Sequence, residues 1–97
     1  MKCCSYHNFF VHFSNPTKLR IVEELAKHPM SVGEIAAALE EEQSKISHSL
    51  TTMAACNIVQ SEQQGKRRIY SLNQATVQPI MKLVEEHTKN FCKECAK

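Results

Sequence analysis

The sequence predicts a mainly helical α+β fold: short helices, a two-stranded β-hairpin and a long C-terminal helix. Three observations carry that prediction. Apolar residues recur at helical spacing in three successive segments between Asn15 and Ala55. The period then changes between Ile58 and Leu72, around a turn containing Gly65. Beyond Val77 a last amphipathic segment begins, with Ile80, Leu83, Val84, His87 and Phe91 along one face.

Each element has its own signals. The opening stretch, residues 5–13, reads as a short helix carrying Phe9, Phe10 and Phe13. Asn15-Pro16 starts the next one, because Asn caps a helix well and Pro is tolerated at its first position. Leu19, Val22, Leu25 and Ala26 give that helix its apolar stripe, and His28-Pro29 is expected to stop it, since a residue before Pro avoids the α region. Ser31-Val32-Gly33-Glu34 has capping-box spacing, with Ser at the cap and Glu three residues on. Val32, Ile35, Ala36 and Leu39 then face inward, Glu40-Glu41-Glu42 makes a polar break, and a third helix runs from Gln43 to Ala55 with Ile46, Leu50 and Met53 inside. Asn57 sits where a helix end favours a residue that tolerates the left-handed conformation. The hairpin occupies 58–72. The final helix is expected over 77–95, with Pro79 harmless in its first turn.

Composition bounds the answer. The chain has 97 residues, 42% hydrophobic and 23% charged, which excludes a disordered tail and fits one domain over 1–97. No run approaches the ~20 apolar residues of a spanning helix, and no secretory signal is visible. A cytoplasmic protein with no membrane partner is the expectation, and cytosolic thiols are normally reduced. On that ground the five cysteines are not assigned to structural disulfides. Cys56 reads as a packing residue, and His12 and His28 as surface residues.

Two helices joined by a tight break, followed by a β-hairpin, describe a winged helix-turn-helix: residues 31–55 the helix-turn-helix, 58–72 the wing. The outward face of the third helix carries Gln43, Ser44, Lys45, Ser47, His48 and Thr51, none of them acidic. Gln and Ser hydroxyls suit base edges, and Lys and Thr also hold phosphates. Lys66, Arg67 and Arg68 put three cations on the hairpin, the chemistry of a wing that tracks a phosphate backbone. The total charge of +2 hides an asymmetry: residues 14–42 sum to −3 and residues 43–70 to +3. Glu40-Glu41-Glu42 would repel phosphates, so these acids are expected to point away from the groove. Double-stranded DNA is therefore the expected partner. A winged-helix module that binds protein, with no sensing role, is the alternative. No Gly-rich phosphate loop, zinc-protease His-Glu pair or nucleophile elbow is present, so no enzyme activity is expected.

Together, Asn15-Pro16-Thr17-Lys18-Leu19-Arg20-Ile21, Gln43-Ser44-Lys45-Ile46-Ser47, Leu50, Ile58-Val59, Gly65-Lys66-Arg67-Arg68 and Tyr70-Ser71-Leu72 resemble the ArsR/SmtB family of winged-helix repressors. The resemblance runs from Phe13 to the end. It implies a homodimeric repressor of a pseudo-palindromic operator, with dimerisation helices at 5–13 and 77–95 and release by an inducer, often a metal or metalloid ion. It also implies two metal sites that this chain lacks. Ser31 and Gly33 stand where thiolate ligands would be, and Gln74, Thr76, His87 and Asn90 where a zinc set would be. Glu41, Cys56-Asn57 and His48 depart from the family pattern.

Any sensor therefore has to come from the ends of the chain. Cys3, Cys4 and His7 lie near one terminus, and Cys92 and Cys95 near the other. A helical Cys92/Cys95 pair would face one way, and thiolates suit zinc or another thiophilic metal or metalloid ion. His87 is a further candidate ligand. The same Cys-x-x-Cys pair could instead close a disulfide as a redox switch, or do nothing.

Overall fold

The structure, a computed structural model, describes residues 5–94. Eight elements follow one another: α1 (Tyr6–Ser14), α2 (Pro16–Leu25), β1 (Met30–Ser31), α3 (Val32–Leu39), α4 (Gln43–Ala55), β2 (Val59–Gln64), β3 (Arg67–Leu72) and α5 (Val77–Asn90). Helices dominate, and the winged helix-turn-helix is present, α3 and α4 forming its helical pair. The sheet has a third strand. β1 pairs with β3 through Met30 opposite Tyr70 and Ser31 opposite Ile69, giving the antiparallel order β1-β3-β2. Two residues carry no readable alternation, so the sequence predicts only the hairpin.

The caps form as the residues dictate. The Asn15 side chain accepts from the Lys18 N–H at 3.1 Å, with Pro16 in the first turn of α2. Ser31 and Glu34 close a full capping box: the Glu34 N–H donates to Ser31 Oγ at 3.2 Å and the Ser31 N–H to Glu34 Oε1 at 2.8 Å. α2 ends at Leu25, earlier than His28-Pro29 requires. Glu40 closes α3 in the left-handed region at φ 55°, and Asn57 follows α4 at φ 57°. Asn57 suits that conformation, whereas Glu40 does not.

The core is built by Ile21, Val22, Ile35, Ile46, Leu50, Met53, Ile58, Leu72 and Val77, each buried. Ile46, Leu50 and Met53 fix the rotation of α4. Burying each such side chain is worth about 1.5–3 kcal/mol, so turning α4 over would forfeit several kcal/mol. The face bearing Gln43, Ser44, Lys45, Ser47, His48 and Thr51 is thereby held outward.

Three expectations are corrected. His12 is buried, at 0% exposure, because it shares the inward stripe of α1 with Phe9 and Phe13. Neither of its ring nitrogens has a hydrogen-bond partner among the described residues. α5 stops at Asn90 instead of 95: the His87 carbonyl accepts from both the Phe91 and the Cys92 N–H, and the chain leaves the helix there. Cys92 thus lies beyond the helix, and Cys95 lies outside the described residues. Finally, Cys56 packs half-buried against the core, as a packing residue would, but it is also disulfide-bonded.

Candidate nucleic-acid interface

α4 and the wing meet around one shallow cleft of about 310 Å³. Gln43, the first residue of α4, lines it together with Lys66, Arg67 and Arg68. Residues far apart in sequence are thus brought to one surface. The opposite wall is Ser31, Val32 and Gly33, the start of α3. Residue type alone gives those three no place beside the wing. Their signal was the capping box, which fixes where α3 begins and so where its first turn meets the wing.

The nine candidate DNA contacts are all exposed. Their electrostatic surroundings differ. Lys45 Nζ lies 3.4 Å from Glu41 Oε1, and Arg20 Nη1 lies 3.8 Å from Glu41 Oε2. Arg20 also donates to the Leu39 carbonyl at 2.9 Å, closing the exposed end of α3. Glu41 is thereby drawn between two cations. Thr51 Oγ1 donates to the Ser47 carbonyl at 3.0 Å, which fixes its rotamer along the helix.

The wing cations divide. Arg67 Nη2 lies 2.8 Å from Glu34 Oε1 and 3.2 Å from Ser31 Oγ. Arg68 Nη1 donates to Ser61 Oγ across the hairpin at 2.9 Å. Lys66 has no partner among the described residues. Gly65 holds the turn between the strands at φ 64°, a conformation that costs a side chain about 1–2 kcal/mol. The Glu34 carboxyl sits below the ordinary carboxylate range, first because of the Ser31 backbone N–H and then because of Arg67.

The proposed metal ligands are not brought together within the described residues. Cys3, Cys4 and Cys95 lie outside them. His7 is exposed on α1, and Cys92 is half-buried just past α5. His87 stacks on Phe91 with ring centroids 5.8 Å apart. No group of three or more His, Cys, Asp or Glu residues able to hold a metal ion occurs among the described residues. None of the helices is long and apolar enough to cross a membrane among the described residues.

A helix-turn-helix pair, with its second helix turned outward beside a basic wing, defines the class as a winged helix-turn-helix regulator. The description "Bacterial regulatory protein, arsR family" matches residues 15–61. An HTH-type transcriptional regulator of Methanocaldococcus jannaschii is 35% identical over 78 residues, covering 79% of this chain and 88% of the other. The chain belongs to the arsR family. It is also 29% identical over 79 residues to a "Transcriptional repressor SmtB homolog" from Synechocystis sp., covering 81% of this chain and spanning only 60% of that protein's length. Among solved structures, the transcriptional repressor PagR of Bacillus anthracis superposes with a TM-score of 0.71 at 32% identity, over 80% of this chain and 90% of that one.

Proposed function

We propose that the protein is a homodimeric, DNA-binding transcriptional repressor of the cytoplasm. The observation that carries this reading is the cleft that joins the first residue of α4 to the three wing cations. α4 offers Gln43, Ser44, Ser47 and His48 to base edges, while Lys45, Thr51 and the wing serve the phosphates. A cationic wing beside a non-acidic helix face favours DNA over the protein-binding alternative, which would need an acidic partner surface.

The dimer seam follows from what one chain leaves open. Tyr6, Phe10, Leu83, Val84 and Phe91 are exposed at 50% or more. Phe10, Phe13, Leu19, Ile80, Met81 and Val84 line an apolar cleft of about 250 Å³ between α1, α2 and α5. A second copy of the chain would cover this surface and place two α4 helices on successive major grooves.

The test is selection from a random duplex library, then anisotropy titration of the selected duplex across salt. Tight binding with a steep negative salt slope, about −0.9 per phosphate neutralised, is expected. Lys66→Ala should reduce the slope by about one unit at every sequence, and Ser47→Ala should change the preferred sequence. Failure to enrich any duplex would overturn the DNA reading. The bond at Cys56 favours a thiol-redox effector over a metal ion. Dithiothreitol, which would reduce that disulfide to two thiols, should change DNA affinity in the wild type and not in Cys56→Ser. An affinity change on adding zinc to the reduced protein would favour the metal form instead.

A further inference from the structure

The three wing cations differ in geometry, and strand alternation is the reason. Ser31 stands opposite Ile69 in the β1–β3 pairing, so these two side chains share a face of the sheet. Arg67, two residues before Ile69, falls on the same face, while Arg68 falls on the other. Arg68 accordingly reaches Ser61 on β2. Arg67 turns toward α3, where Ser31 Oγ and Glu34 Oε1 receive its Nη2 at 3.2 and 2.8 Å. The same Glu34 oxygen accepts the Ser31 N–H at 2.8 Å. One carboxylate therefore closes the helix cap and holds the first residue of β3.

We infer that Arg67 is a positioning residue, which anchors the wing to the start of α3 through Glu34 and Ser31 and so sets the wing's angle to α4. This rests on the DNA-binding reading for its consequence. Direct phosphate contact on the wing falls to Lys66 and Arg68. The geometry also gives Glu34 a role opposite to that of an ordinary surface acid near DNA. Removing a simple repulsive charge should strengthen binding, whereas removing an anchor should weaken it.

Glu34→Gln removes the charge that attracts Arg67 while Gln at this helix position still accepts the Ser31 N–H, and Arg67→Ala removes the anchor itself. Two measurements test the inference. The first is amide hydrogen exchange of the DNA-free protein. Glu34→Gln and Arg67→Ala should both speed exchange at the β1–β3 amides around Met30 and Ile69, and Arg68→Ala should not. Unchanged exchange in both variants overturns the anchor whatever the protein binds. The second is the salt dependence of duplex binding. Arg67→Ala and Glu34→Gln should each weaken binding several-fold and leave the log Kd versus log salt slope unchanged. Combined, they should cost no more than the larger single effect. Lys66→Ala and Arg68→Ala should each lower the slope by about one unit. A slope loss of about one unit in Arg67→Ala, with tighter binding in Glu34→Gln, would make Arg67 a phosphate contact and overturn the inference. If the wild type binds no duplex, the DNA reading fails, and exchange alone still decides the anchor.

Discussion

Replacing His12 with Leu should stabilise the protein, and the structure sets both the size of the effect and its pH dependence. The imidazole is fully buried on α1 and neither ring nitrogen has a hydrogen-bond partner among the described residues. A neutral imidazole carries one donor and one acceptor, and each loses water on folding with nothing in return. Leaving one such group unsatisfied costs about 1–3 kcal/mol. Leu fills a similar volume with no polar atom, so a gain of about 1–3 kcal/mol is expected at pH 8. For a domain of this size, each kcal/mol is worth roughly 4–8 °C in Tm.

The pH dependence has a definite sign. Burial, and secondarily the charge of Lys18, lowers the His12 pKa below its ordinary 6.5. Below about pH 6.5 the unfolded chain therefore binds a proton that the folded chain resists. Wild-type stability should fall as pH drops from about 6.5 toward the folded value, by at most about 1.4 kcal/mol per pH unit from this group. Above that window the contribution is constant. The Leu variant lacks the contribution, so its advantage should widen on acidification. Urea unfolding followed by circular dichroism, with both proteins at one concentration and at pH 8, 7, 6 and 5.5, measures the difference directly. A variant less stable than wild type at pH 8, or a difference that does not change with pH, would refute the reasoning.

Two other substitutions test separate parts of the fold. Glu40→Gly should stabilise by about 0.5–1 kcal/mol in thermal unfolding, because Glu40 sits at φ 55°, where only glycine escapes the steric cost. Leu83→Glu should leave the monomer folded, since Leu83 is 64% exposed in a single chain, while sedimentation should show the dimer dissociating.

The fold was legible wherever a periodic signal ran for several turns. The Ser31/Glu34 box, the Asn15-Pro16 start and the buried Ile46, Leu50 and Met53 all stand as the spacing implies. What escaped was set by partners distant in sequence. β1 exists only because β3 pairs with it. The polarity of His12 predicts a surface residue, but its i+3 spacing from Phe9 puts it on the inward stripe. Apolar spacing continues to Phe91 and so extends the expected helix past its true end, which the structure caps at Phe91. One cleft joins Gln43 to the three wing cations, and the candidate contacts were legible as residue types on α4 and the wing. The pairing of those residues was not, because an ion pair such as Arg67–Glu34 spans elements that the sequence alone does not bring together.

That pairing changes what the charge asymmetry means. The net −3 of residues 14–42 reads as an acidic support lying beside a basic half of +3. The structure places two of those acids in contact with the basic half. Glu34 holds Arg67 of the wing, and Glu41 lies between Arg20 and Lys45 of α4. At these exposed sites each pair contributes little to stability, since solvent screens both partners. Their value is directional. A long cation held at its root against a carboxylate has fewer places to put its charge, and DNA then meets side chains already confined to one side of the molecule. The same pairs set a cost for binding: any phosphate that recruits Arg67 or Lys45 must first displace a carboxylate. Among the described residues Lys66 has no such partner and Arg68 is held by a hydroxyl, so both meet phosphates without that competition. The salt slope of binding should therefore track Lys66 and Arg68 more closely than the number of basic residues on the surface.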